Sequence, residues 1–215
     1  MVIAGATNEE GSKNRFRIFP EHWRDLSEGS GLTKKIVREA GLFSVEQSEI
    51  KNLLGWLPPV QSALVFPYGC ANFIRLKVFP PFKDHEGKTV KYLQPKDSSP
   101  RLYIPTYARK AVETPGHAFF ITEGEKKALA ACQRGLYCIA IGGVWNWMRN
   151  GQPIKDLDSI DWTGRYIGVV PDSDVWESKK SDLFHGVYAF GKELVKRGAR
   201  CDLIIVQKGA TLCKK

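Results

Sequence analysis

Residues 118–143 read AFFITEGEKKALAACQRGLYCIAIGG, and the order of chemical character in this stretch decides the fold. The run AFFIT (118–122) is short and apolar, as a strand covered on both faces would be. Glu123 and Gly124 follow it with no spacer. The Ala-rich segment after Gly124 has helix-forming composition and ends near Gly135. YCIAI (137–141) is again a compact apolar strand. Strand, helix and strand in direct succession predict a mostly parallel sheet with helices over its faces.

The pattern continues downstream. RYIGVV (165–170) reads as a third strand and DLIIV (202–206) as a fourth. Between them Ser181 is placed to cap a helix whose Leu183, Val187, Phe190 and Leu194 are spaced four, three and four residues apart. That spacing makes one apolar face, and Gly198 ends the helix. GGVWNWMRNGQPIKDL (142–157) reads as a loop with room for a short helix.

Upstream the pattern differs. Thr33 is placed to cap a helix through Ile36, Val37 and Ala40 that stops at Gly41. Ser44 and Gln47 fit a capping box for a second helix carrying Ile50, Leu53 and Leu54, closed by Gly55 and the Pro58-Pro59 pair. SALVFPY (62–68), NFIRLKVF (72–79), TVKYLQP (89–95) and RLYIP (101–105) then predict a small, largely antiparallel β region. In the second of these, Ile74, Leu76 and Val78 alternate with Arg75 and Lys77, so the two basic residues share the opposite face. The predicted organisation is a lead-in over 1–19, an α+β region over 20–112, an α/β domain over 113–210 and a tail over 211–215.

Composition excludes some classes. No stretch reaches the roughly 18 apolar residues of a membrane helix. The opening MVIAGATNEEGSKNRF turns polar after six residues, unlike a secretory signal, so a cytoplasmic location is expected. The 32 Lys and Arg against 23 Asp and Glu give a formal charge of +9, which favours polyanionic partners. None of the five cysteines forms a CxxC pair, so neither structural zinc nor a disulfide framework is expected. Cys132, Cys138 and Cys201 read as buried thiols.

Against that basic background, the acids stand out by position. Glu123 directly follows one predicted strand, and Asp172 and Asp174 follow another after Pro171. If both strands run parallel in one sheet, their carboxyl ends share an edge, where open α/β sheets bind ligands. Gathered carboxylates repel and call for a cation, and Mg2+ takes oxygen ligands while keeping water for phosphates. Gly124 lets the chain turn into the helix, whose N-terminus favours an anion. Lys126 and Lys127 oppose the dipole of that first turn, which an anionic partner would explain.

ITEGEKKALAA, IAIGGVWNW and VVPDSD, with a later helix ending in KRG, resemble the TOPRIM domain of bacterial primases, topoisomerases and some nucleases. Its Glu-Gly and Asp-x-Asp signature falls on Glu123, Gly124, Asp172 and Asp174. Upstream, VFPYGCANFIRLKVFPP and VKYLQPKDSSPRLYIP are similar to the segment that precedes TOPRIM in replicative primases, with Arg75, Lys91 and Tyr92 in matching places. The likeness runs over residues ~20–208 and leans towards TOPRIM proteins of plasmids, phages and other mobile elements, often fused to a helicase.

The resemblance implies a nucleotidyltransferase core that joins ribonucleoside triphosphates on single-stranded DNA with Mg2+ (or Mn2+). It implies Glu123 as general base or metal ligand, and Asp172 and Asp174 as metal ligands. Arg75, Lys77 and Lys91, with Tyr92, would line a groove for phosphates, and Lys126 and Lys127 would bind the incoming triphosphate. A replicative helicase is an implied partner. The sequence departs from these relatives in having no N-terminal zinc module and no P-loop of a fused helicase, and it stops at QKGATLCKK, as a fragment or a reduced form would.

Other readings use the same residues. A TOPRIM nuclease would cut with the same metals. A catalytically reduced module would bind single strands through basic strands and through Trp145, Trp147 and Trp176. A phosphatase of the haloacid dehalogenase type also places Asp-x-Asp after a strand, but its usual Thr is Trp176 here.

Overall fold

A computed structural model describes residues 16–70, 73–176 and 181–206. The chain divides into two compact units, Met1–Asp97 and Ser98–Lys215. The capping role read for Ser181 lies outside the described side chains. No helix among the described residues is long and apolar enough to cross a membrane.

The first unit is built on an antiparallel sheet of β1 (Phe43–Glu46), β2 (Ser62–Pro67), β3 (Ile74–Lys83) and β4 (Thr89–Leu93), in that order. The alternation in β3 works as the sequence predicts. Leu76 and Val78 enter a core with Val45, Ala63, Val65 and, from helix α3 (Gln47–Leu54), Ile50 and Leu54. The opposite face meets α1 (Pro20–Ser27). The buried His22 ring nitrogens reach Ser44 Oγ at 2.7 Å and Ser62 Oγ at 3.0 Å. Its ring lies 4.1 Å from that of Phe79. Burial pushes the imidazole down to about 4, against the opposing charges of Glu21 and Asp25.

Two local expectations in this unit change. Thr33 precedes α2 (Lys34–Glu39) but makes no side-chain capping bond. The capping box of α3 is Glu46 with Glu49, not Ser44 with Gln47. Ser44 lies in β1, where its hydroxyl is engaged by His22 and by the Phe19 N–H, so it is not available to a helix.

The second unit carries a four-stranded, fully parallel sheet in the order β10-β9-β5-β6. The strands are β5 (Phe119–Glu123), β6 (Cys138–Ile141), β9 (Tyr166–Val170) and β10 (Arg200–Leu203). A small hairpin, β7 (Met148–Arg149) with β8 (Gln152–Pro153), and a 3-10 turn over Lys155–Ser159 occupy the segment read as a loop. Helix α5 (Glu125–Cys132) links β5 to β6, and α6 (Ser181–Lys196) links β9 to β10. From the central pair the chain therefore leaves in opposite directions. Right-handed crossovers of that kind put the two helices on opposite faces and leave a crevice between β5 and β9.

Three further differences come from edges and ends. RLYIP makes no strand of the first sheet; Tyr103 forms a single antiparallel bridge to Ala140, on the outer side of β6. The helix α4 (Thr106–Glu113) follows, with Ala108, Ala111 and Val112 buried. The fourth strand pairs over Arg200–Leu203, two residues earlier than the apolar run suggests, and Ile205 and Val206 are exposed beyond it. Cys132 and Cys138 are buried, whereas Cys201, on the edge strand, is half-buried.

Arg165 anchors this unit at the amino end of β9. It is 1 % exposed. Its guanidinium donates to the carbonyls of Ala111 at 2.7 Å, Asp161 at 2.8 Å, His117 at 3.1 Å and Val112 at 3.2 Å. The last turn of α4 is thereby tied to the sheet.

Candidate active site

Glu123 is the last residue of β5, and Asp172 stands two residues past the end of β9. The two strands are neighbours in parallel register, Thr122 opposite Val170, and the Thr122 hydroxyl donates to the Val170 carbonyl at 2.9 Å. Both acids thus emerge at the carboxyl edge, on either side of the crevice where the strand order reverses. The Asp172 N–H donates to Glu123 Oε1 at 3.4 Å.

The electrostatics tie in the third acid. Burial raises the Glu123 pKa, and the charges of Asp172 and Asp174 raise it further. The Asp172 N–H and Lys127 pull the other way. Asp174 lies in a 3-10 turn, Ser173–Trp176, which is closed by a Val175 N–H to Asp172 carbonyl bond of 3.1 Å.

Gly124 makes the turn out of β5. Its φ of 83° and ψ of 142° belong to a region that side chains disfavour, while its N–H still donates to Ile141 at 2.8 Å. The first turn of α5 then presents Lys126, half-buried, and Lys127, exposed. Lys127 forms an ion pair with Asp172. Residue Glu125, which sequence reasoning passed over, is 1 % exposed. Burial, and next the Glu125 charge, push the buried Tyr103 hydroxyl well above its ordinary value. The signal for Glu125 was its helical phase, since Ala128, Leu129 and Cys132 share its buried face.

The donor set suits a hard divalent cation: carboxylates, one of them in a partly desolvated position where like charges crowd it. Among the described residues, however, no group of three or more His, Cys, Asp or Glu is arranged as a ready cage. Asp172 is turned to Lys127 instead, and this ammonium partly neutralises the cluster.

The basic-strand candidates lie in the first unit. Arg75, Lys77 and Tyr92 share one face of the sheet. The Arg75 guanidinium sits 4.7 Å from the Tyr92 ring centroid, and Lys77 is paired across the strands with Tyr92. Lys77 also forms an ion pair with Asp25 and is only 14 % exposed at its side chain. Lys91 precedes Tyr92 in β4 and so points to the opposite face, where it is exposed. The tryptophans divide as well. Trp147 is buried and stacks 5.5 Å from Phe190. Trp145 is 44 % exposed and packs where a Cβ on Gly186 would come within 2.9 Å of it. Trp176 is half-buried against Phe184.

A family model described as a domain of unknown function (DUF3854) matches residues 109–211. No curated protein matches the chain. Among solved structures, the chain is similar to the primase of Aquifex aeolicus, solved as its zinc-binding and RNA polymerase domains. The TM-score is 0.59 at 14 % identity, covering 89 % of this chain and 51 % of that one. The chain thus spans about half the length of that structure. At this identity the likeness is one of fold, and the fold is primase-like.

Proposed function

We propose that the chain is the catalytic core of a DNA primase-like nucleotidyltransferase, with a TOPRIM domain over 113–210 that serves replication of a phage or other mobile element. The observation that carries this reading is the meeting of Glu123 and Asp172 across the β5–β9 crevice, with the Asp174 charge acting on the same carboxyl. The primase-like fold supports it.

Asp172 and Asp174 would hold Mg2+ (or Mn2+), with Glu123 as a third ligand or as the general base. When bound, the cation would polarise the phosphate and offset charge developing in the displacement. The chain's own residues do the rest. As general base, Glu123 would accept the proton of the attacking 3′-hydroxyl, as pyrophosphate leaves the α-phosphorus of the incoming nucleotide. Lys126 and Lys127 stand at the mouth of α5 and meet triphosphate charge. Engagement of a triphosphate by Lys127 frees Asp172 from its ion pair. In the first unit, Arg75 and Tyr92 supply one cation and one ring to a single-stranded DNA template. Lys77, held by Asp25, mainly shapes that face, and Lys91 serves phosphates on the other. A replicative helicase is the partner such a core would work beside.

The test is a priming assay with single-stranded DNA, labelled ribonucleotides and Mg2+ or Mn2+. Short new oligonucleotides that vanish in Glu123→Gln are expected. Shortened template with no new product would assign the same carboxylates to a nuclease and overturn the primase reading.

A further inference from the structure

The exposed side of α6 carries a row of residues that the core does not use. Val187, Phe190 and Leu194 fill the buried side. On the other side Phe184, Tyr188 and Lys192 follow one another at four-residue intervals, on a single stripe of the helix. Phe184 is 40 % exposed and Tyr188 is 53 % exposed. Their rings stand 6.2 Å apart and only 12° from parallel. The Lys192 ammonium lies 5.7 Å from the Tyr188 ring centroid. Val195 and Lys196 prolong the stripe along a groove of about 440 Å3 that is also lined by Cys201 and Leu203.

The row has a direction. At its other end Trp176 meets the Phe184 ring edge-on at 6.0 Å. Trp176 closes the 3-10 turn that holds Asp174 and begins next to Asp172. Trp176, Phe184, Tyr188, Lys192 and Lys196 therefore lead away from the candidate carboxylates, and the stretch from Phe184 to Lys196 is about 18 Å long at helical rise.

We propose that this row is a track for single-stranded nucleic acid, whose bases stack on Phe184 and Tyr188 and whose phosphates meet Lys192 and Lys196. Near-parallel, solvent-facing rings continued by cations along one stripe are what a sequence-tolerant single-strand surface requires. Lysine is depleted at protein–protein interfaces, and this row carries two. Charge agrees. Glu193 is taken up by Arg197 at 2.7 Å, Asp182 is the exposed acid at the start of the helix, and the chain as a whole carries +9. The proposal deepens the functional reading above and rests on it only for the destination of the strand.

The experiment measures binding of a fluorescein-labelled oligothymidylate to the full chain by anisotropy. The variant is Phe184→Leu with Tyr188→Leu, which keeps apolar surface and removes the stacking faces. Both positions are exposed, so an unchanged thermal midpoint is expected. Affinity should fall at least about tenfold, given what base-aromatic stacking contributes. Lys192→Gln should flatten the salt dependence by about 0.7 in log-log slope. A 5-bromodeoxyuridine oligonucleotide should crosslink to Tyr188. Wild-type affinity in the double leucine variant would overturn the proposal, as would a wild-type chain that binds no oligonucleotide. So would self-association of the chain that the leucine variant alters while oligonucleotide binding stays constant, which would give the row to a second copy. Failure of the parent reading is distinct: nucleotide joining would survive Asp172→Asn with Asp174→Asn, while the leucine variant still lost the strand.

Discussion

The ammonium of Lys127, in the first turn of α5, rests on the carboxylate of Asp172, in the loop after β9. This pair closes the crevice between two strands that are neighbours in the sheet but 45 residues apart at the two side chains. Both partners are substantially exposed, Lys127 at 53 % and Asp172 at 40 %. An ion pair in such a setting contributes less than about 1 kcal/mol to stability. The proposed function gives the pair a role, since a bound triphosphate would compete for Lys127. Under the proposed nucleotidyltransferase activity, Lys127→Gln should leave the unfolding midpoint nearly unchanged, yet raise KM for the nucleoside triphosphate roughly tenfold, the loss of one charge-assisted phosphate contact. Steady-state kinetics beside a thermal melt checks both halves.

Arg165 lies at the opposite end of β9 and gives the converse prediction. Its guanidinium donates to four backbone carbonyls in a site that is 1 % exposed. Arg165→Met leaves those acceptors without a donor, and a loss of at least about 3 kcal/mol is expected from unsatisfied buried groups. Urea denaturation measures it. The proposed metal-dependent activity should persist at low temperature, because the carboxylates sit at the other edge of the sheet.

His22 makes the first unit sensitive to acid. In the folded chain its pKa is pushed down to about 4, below its ordinary value of 6.5, by burial against Ser44, Ser62 and Phe79. Glu21 and Asp25 oppose that shift and Lys77 adds to it. The unfolded chain therefore takes up the proton first as pH falls. The stabilisation is complete above pH about 6.5 and is lost progressively down to pH about 4, on the order of 3 kcal/mol in all. His22→Asn should flatten that part of the stability-pH curve in denaturant titrations.

Much of the second sheet was legible because its strands are short apolar runs, each followed by a turn residue. AFFIT, YCIAI and RYIGVV all pair close to where their composition places them. The fourth strand is offset because Gly198 and the Ala199 turn set its start, and the IIV run extends past its partner. RLYIP has strand composition, yet only Tyr103 finds a backbone partner, a choice made by tertiary packing. The capping box was misassigned because Ser44 has the right chemistry but is claimed by His22, a residue 22 positions away. Within the candidate site, the acids and Gly124 could be read from their places after strands. The Lys127–Asp172 pair, the burial of Glu125 and the separation of Lys91 from Tyr92 depend on register and helix phase, which spacing shows only once the elements are paired.

The most direct test of the central claim is a Mn2+ titration followed by electron paramagnetic resonance, comparing the wild-type chain with Asp172→Asn and Asp174→Asn combined. Free Mn2+ signal should be depleted by the wild-type chain and restored in the double variant, with the fold unchanged by circular dichroism. Equal Mn2+ uptake by both proteins would contradict a metal site on these carboxylates.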